Sequence, residues 1–515
     1  MRTTRTHNRR ASLILLGLTS ITFMSFSCQP STPSNPNQNA RVETAAPSPS
    51  QIVIPPWPSG FPSNMPLAAV SGNIPQQVLL PGLGLPGTFS TPLEIRPYFD
   101  YFSWESFIAL NWPAATGARG VPNQPNNSSV FLNAAAGTPV VWGTYKDSFD
   151  LFGQKDQRPS PWESNTNPIS PCANGQPGAK TLIFVSKGNT PLMETKQAFS
   201  FPLVDQRGNY VYYDIRYDQA QYNFIRGQES DSTSWLYLLK NLAPKEKAQF
   251  GVQMPMTTAP SPAPTPSATP TATPASTLGS IMLKAAWRIK TDKDDTSRFY
   301  TTAAQTLDPQ TQKCTPVTVL LVGLHIAHKI DPFTEWVWST FEQIDNVPPD
   351  ADIQPQPPVP PNGYSFNNGT TNPSTTGGYN YKPALTPTPN PSPVQVTRVN
   401  PIPSTPAGQS TREVNAFYQQ LLKGTVWQYY QLVVTQWPFN PGIGQGNPFM
   451  LMQNGGVYPQ NAGSAFPVNG AVNTTMETYF QTQNDAAGAG GNSCMSCHYR
   501  AGQSDFSWGL NRRAH

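Results

Sequence analysis

Val317-Thr318-Val319-Leu320-Leu321-Val322-Gly323-Leu324-His325-Ile326-Ala327-His328 is an almost unbroken apolar run, and its reading decides the fold. As a strand, it places His325 and His328 on opposite faces; as a helix begun by Thr315-Pro316, it places both on one face. Its β-branched content favours the strand. A second run, Glu335-Trp336-Val337-Trp338-Ser339-Thr340-Phe341-Glu342, follows after Lys329–Thr334, so the two read as arms of a hairpin. In the second arm Trp336, Trp338 and Thr340 alternate onto one face.

Working outward, Thr181–Ser186, Tyr210–Tyr217, Ile281–Lys290, Arg298–Thr302 and Thr425–Trp437 are further β-branched or aromatic runs between turn signals. Tyr101–Leu110 spaces Phe102, Phe107 and Leu110 for one helical face and stops before Pro113. Ser410-Thr411-Arg412-Glu413 is a capping box that opens a helix with Val414, Phe417, Leu421 and Leu422 inward. Thr474-Thr475-Met476-Glu477 has the same form and predicts a helix carrying Met476 and Phe480. The expected class is α+β: a mainly antiparallel β-sheet body with a few helices.

The chain has 515 residues, with 58 Pro and 37 Gly, 12% charged residues and a net charge of +4. The charge is too small and too evenly spread for a nucleic-acid footprint. Beyond the N-terminus no apolar run is long enough to span a bilayer. Two Pro-rich insertions, at about 257–279 and 347–409, should be extended or disordered. Strand-like segments resume after each, so they read as insertions into a single large domain covering 61–515.

Residues 1–27 read as a signal peptide: Arg2, Arg5, Arg9 and Arg10 form a basic region, and Ala11 to Phe26 an apolar one. The segment ends at Ser25-Phe26-Ser27-Cys28, and a Cys after a small residue at this point resembles a bacterial lipoprotein signal, which implies a lipidated Cys28. Residues 28–60, rich in Pro, Ser, Asn and Thr, fit a flexible tether. The expected location is outside the cytoplasm, periplasmic or outer-membrane, with membrane association through the lipid.

Residues 494–498 read Cys-Met-Ser-Cys-His, the C-x-x-C-H pattern of c-type haem attachment. Two thiols two residues apart reach the two vinyl groups of one porphyrin, and the adjacent His ligates the iron. A thioredoxin-like pair would instead want a strand before it and a helix after it, whereas a Gly-rich stretch precedes this one. One motif predicts one covalent haem c, bound by Cys494, Cys497 and His498, with His498 as proximal ligand. The attachment segment is expected to pack on the body, because the tail after the last predicted helix is too short to enclose a haem alone.

Met cannot supply the other axial ligand from downstream, since none follows His498. His325 is the candidate distal ligand or pocket residue, ahead of His328; Met476 leads Met450 and Met452 among the methionines. A histidine in such a run is more often a hydrogen-bonded core residue, and a Met on an amphipathic helix is more often core. His515 is terminal and Met495 lies inside the attachment loop. The remaining cysteines, Cys172 and Cys314, form the natural disulfide in an oxidising compartment.

Several phrases resemble a group of uncharacterised bacterial cytochrome c family proteins: Ser103-Trp104-Glu105-Ser106-Phe107-Ile108-Ala109-Leu110-Asn111-Trp112-Pro113, Lys284-Ala285-Ala286-Trp287, Val322-Gly323-Leu324-His325-Ile326, Trp336–Glu342 and the C-terminal motif. The resemblance runs from about residue 95 to the end and implies a single large domain. A weaker likeness is to the cytochrome c′-beta-like proteins, β-rich chains with an open, five-coordinate haem near the C-terminus. Asp505-Phe506-Ser507-Trp508 resembles their acidic-aromatic phrase, but no crosslinking lysine aligns. The resulting expectation is an exported monohaem cytochrome that transfers electrons to an unidentified redox partner with both axial positions filled. The alternatives are a haem enzyme with an open site acting on peroxide, nitric oxide or hydroxylamine, or a non-catalytic gas-binding protein.

Overall fold

In the computed structural model the described residues are most of 57–80, 92–152, 158–164, 200–227, 254–257, 278–307, 313–438 and 465–482, together with strands at 180–187 and 190–193 and the segments 492–498 and 505–509. The signal peptide, Cys28, the tether up to residue 56, Cys172, Met450, Met452, His515 and nearly all of the first Pro-rich insertion lie outside them. Residues 51–515 form one compact unit.

The apolar run is a strand, β7 (Cys314–Ile330), at the centre of a ten-stranded, mostly antiparallel sheet. In chain order the others are β1 (Lys146–Asp147), β2 (Lys180–Lys187), β3 (Thr190–Met193), β4 (Tyr212–Tyr217), β5 (Ile281–Ile289), β6 (Thr301–Leu307), β8 (Phe333–Gln343), β9 (Tyr430–Pro438) and β10 (Ala465–Phe466). β5 pairs with β7 over Val319–His328; β6 pairs with its first half and β8 with its second. β9 follows β8, and β10 follows β9. Among the described strands the parallel pair is β2 on β6. Residues 319–330 of β7 are buried apart from half-buried His325, so the strand reads as a continuous apolar run because both of its faces are covered.

The hairpin is tighter than expected. Ile330 pairs with Phe333, leaving only Asp331 and Pro332 between the arms, so β7 and β8 extend into the predicted connection. The aromatic strand expected from Thr425 begins at Tyr430, after a short 3-10 turn over Val426–Tyr429.

Six helices are described: α1 (Pro92–Leu110), α2 (Ser128–Leu132), α3 (Ser148–Phe152), α4 (Gln219–Arg226), α5 (Thr411–Leu421) and α6 (Cys494–His498). α1 runs nine residues further N-terminally than Tyr101, with Pro97 inside it. Proline removes one intrahelical bond, and burial of Ile95, Tyr98, Phe99 and Phe102 offsets that loss. The capping box of α5 forms as expected, with the Ser410 side chain accepting from the Glu413 N–H and Glu413 returning to the Ser410 N–H.

The second capping box does not form. The Thr474 N–H donates to Glu342 Oε1 instead, and Asn473 Oδ1 accepts from the Thr475 N–H at 2.9 Å. Residues 473–477 are therefore a turn followed by a 3-10 segment, Thr478–Phe480, and not an α-helix. A buried carboxylate on β8 outcompetes the local cap.

Among the described residues the second Pro-rich insertion has no helix or named strand but is packed, which corrects the expectation of disorder. Phe366, Val394 and Val396 are fully buried against Leu320 and Val322 of β7, and the Val396 N–H donates to Phe366 O at 2.7 Å. The Ser365 and Phe366 N–H groups donate to Asp345 O and Asn346 O, and the Val394 N–H to Val204 O, which lets irregular backbone lie on the core.

Candidate haem-attachment site

The two faces of the β5–β7–β8–β9 region have different roles. α1 covers one: Ser103 Oγ lies 2.7 Å from both Ser339 Oγ and Thr435 Oγ1, and Phe102 stacks on His328. His328 is 1% exposed there, and burial pushes its pKa down to about 3, so it is a neutral core residue. His325 is on the opposite face, paired with Lys284 on β5 and Thr340 on β8. The strand reading thus separates the two histidines, and only His325 is on the side that carries the attachment motif.

The motif forms a single five-residue turn, α6, in which residues three and four apart share a face. That puts Cys494, Cys497 and His498 together on one side. Met495 points the other way: it is 1% exposed in the main core, and its N–H donates to Gln436 Oε1 at 2.7 Å. Cys494 packs beside Val433, Val434 and Ala471, with its Sγ 3.5 Å from Ala471 O. The His498 ring lies 4.4 Å from Trp338 of β8. Neither Cys494 nor Cys497 is in a disulfide. Burial, and then the nearby Glu477 carboxylate, push the Cys494 thiol well above its ordinary pKa. Two thiols and an imidazole on one half-buried face, with the intervening Met as anchor, fit the donor set of a covalently attached haem c.

The turn at 473–477 completes the site. It lies directly on β7 because residue 323 is glycine: a Cβ there would clash with Thr475 Oγ1 and meet Met476 Cε at 3.2 Å. Asn473 Nδ2 donates to Thr340 Oγ1 and Phe341 O, both at 2.9 Å, and the Tyr213 hydroxyl donates to Thr475 O at 2.7 Å. Met476 is fully buried in the apolar cluster with Ala286, Val322 and Phe366, so it is core and not an axial candidate. We expect Gly323→Ala to displace the turn and lower stability by about 1–3 kcal/mol, read by thermal unfolding.

The turn presents Glu477 to His325: Oε2 is 3.3 Å from His325 Nε2 and accepts from the Asn473 N–H at 3.0 Å. Burial works against the Glu477 charge, but His325, Lys284 and the Asn473 N–H outweigh it and hold its pKa below the ordinary value. Lys284, the cross-strand neighbour of His325, sits 4.9 Å over the Tyr213 ring. Burial lowers its pKa, opposed by Glu477 and Cys497.

The chain after α6 is tied down by Asp505, which is 2% exposed. Its carboxylate pairs with Lys329 and accepts from the Met254 N–H at 2.6 Å and from Trp336 Nε1 at 3.3 Å. Trp336 and Asp505 both take left-handed backbone, with φ of 69° and 49°. Trp336 and Trp338 nonetheless lie side by side, with ring centroids 6.4 Å apart and Val337 in a different cluster.

Cys314 is disulfide-bonded; Cys172, its expected partner, is outside the described residues. Sequence reasoning missed the roles of Lys284, Gln436 and Glu477. A lysine alone in the otherwise apolar run Ile281-Met282-Leu283-Lys284-Ala285-Ala286-Trp287 was the available signal. No family model, curated protein or solved structure matches the chain.

Proposed function

We propose that this chain is an exported monohaem c-type cytochrome, holding one covalent haem c and passing electrons to a redox partner. The observation that carries the reading is the sidedness of α6: Cys494, Cys497 and His498 share one face while Met495 is locked into the core by Gln436. Bound haem supplies an iron that cycles between ferric and ferrous states. The chain's part is to fix the geometry. Cys494 and Cys497 would hold the porphyrin, and His498, backed by Trp338, would ligate the iron. The lipoprotein-like N-terminus places the domain on a membrane surface outside the cytoplasm, tethered through Cys28, and a Cys172–Cys314 disulfide suits that compartment.

A second reading, a haem enzyme or gas-binding protein with an open axial position, is favoured by one observation: His325 Nε2, the usual ligating atom, is turned to Glu477. Absorption spectra of the matured protein test both. A c-type spectrum retained after denaturation is expected; its absence contradicts the haem assignment. A low-spin spectrum converted to high-spin in His325→Ala identifies His325 as sixth ligand, and a high-spin spectrum in the wild type supports the open site.

A further inference from the structure

Along β5 and β7 the buried stretch of the sheet near the motif is interrupted at one place. Buried residues run from Ile281 to Arg288 on β5 and from Val319 to Ile330 on β7, broken only by Lys284 and His325, which are paired across the strands and half-buried. Three C-terminal stretches frame that gap. The turn at 473–477 lies on Gly323 and Thr340; α6 lies on Trp338 and Gln436; Asp505 and Ser507 lie on Lys329 and Met282.

Lys284 has no hydrogen-bond or ion-pair partner among the described residues; its contact is the face of the Tyr213 ring. The nearest carboxylate, Glu477, is committed to His325 and to the Asn473 N–H. A half-buried ammonium held without a hydrogen-bonded partner costs free energy, and an anion beside it would return that cost through a charge-assisted hydrogen bond. Thr340, the cross-strand partner of His325, is two residues along β8 from Trp338, whose ring lies 4.4 Å from His498, so the gap neighbours the motif.

We propose that this gap is a binding site for a small anionic ligand of the haem iron, with Lys284 recognising the anion's charge and His325, oriented by Glu477, hydrogen-bonding to it. The inference rests on the haem-attachment reading of Cys494, Cys497 and His498. It makes His325 a pocket group and Glu477 its positioning residue, and leaves the second axial position for the ligand.

The test uses the full-length matured holoprotein and two probes: azide, an anion, on the ferric form, and carbon monoxide, uncharged, on the ferrous form. Both are expected to shift the wild-type spectrum. Lys284→Met should weaken azide about tenfold or more while leaving carbon monoxide within about twofold, and Lys284→Arg should keep azide within about threefold. Wild-type haem that is covalently bound but blind to both probes overturns the inference, as does a Lys284→Met change equal for the two probes. If Lys284→Met does not mature, the wild-type azide affinity decides: it should fall with rising salt, and an affinity indifferent to salt overturns the role of Lys284. A wild type that acquires no covalent haem counts against the haem reading, which separates the two failures.

Discussion

The Cys494→Ala/Cys497→Ala double variant is expected to carry no covalent haem, with complete loss of haem staining on a denaturing gel. Each single variant should retain one thioether and therefore some stain, with the alkaline pyridine spectrum shifted by the unsaturated vinyl group. The expectation follows from α6, where the two sulfurs lie one turn apart on the same face as His498. The fold should survive the double substitution, because the residue that anchors the turn is Met495, whose N–H bond to Gln436 is made by the backbone. Haem stain persisting in the double variant would place attachment elsewhere.

Asp505→Ala should destabilise the protein by about 3–5 kcal/mol, because it leaves the Lys329 ammonium buried without its partner. Lys329 is 3% exposed, and the same carboxylate is the acceptor for the Met254 N–H and the Trp336 indole. Burial pushes the Asp505 carboxyl up, and Lys329 pulls it back toward the charged form, so neither group is comfortable alone. The Lys329→Met/Asp505→Ala double variant should be more stable than the two single losses predict, with a coupling of about 1–3 kcal/mol. Urea unfolding of the four proteins measures it. Additive losses would show that the pair is not an energetic unit.

These two sites also show how far the sequence can be read. The sheet was legible where burial is recorded locally: β7 is a continuous apolar run because both its faces are covered, and the same reading put His325 and His328 on opposite sides. The grouping of the proposed attachment residues on one face was legible because Cys494, Cys497 and His498 lie within five positions of the chain. What was not legible depends on partners distant in sequence. Thr474-Thr475-Met476-Glu477 has every local mark of a helix start, yet Glu342, more than a hundred residues earlier, takes the Thr474 N–H and leaves Glu477 for His325. The Pro-rich stretch at 347–409 has the composition of a linker, but Phe366, Val394 and Val396 are spaced through it to meet Leu320 and Val322. The first helix was expected to start at Tyr101, nine residues too late, because tertiary burial of its first turns is invisible to a local rule. Lys284 meets His325 through strand register alone, forty-one positions apart.

The most direct test of the account is the intact mass of the wild-type protein, produced with haem-attachment machinery and measured under denaturing conditions that strip any non-covalent ligand. The account predicts a polypeptide heavier by the mass of one haem, with the added mass located by proteolysis on the peptide containing Cys494 and Cys497. A polypeptide of unmodified mass at that peptide, from cells that attach haem to a control cytochrome, would contradict it.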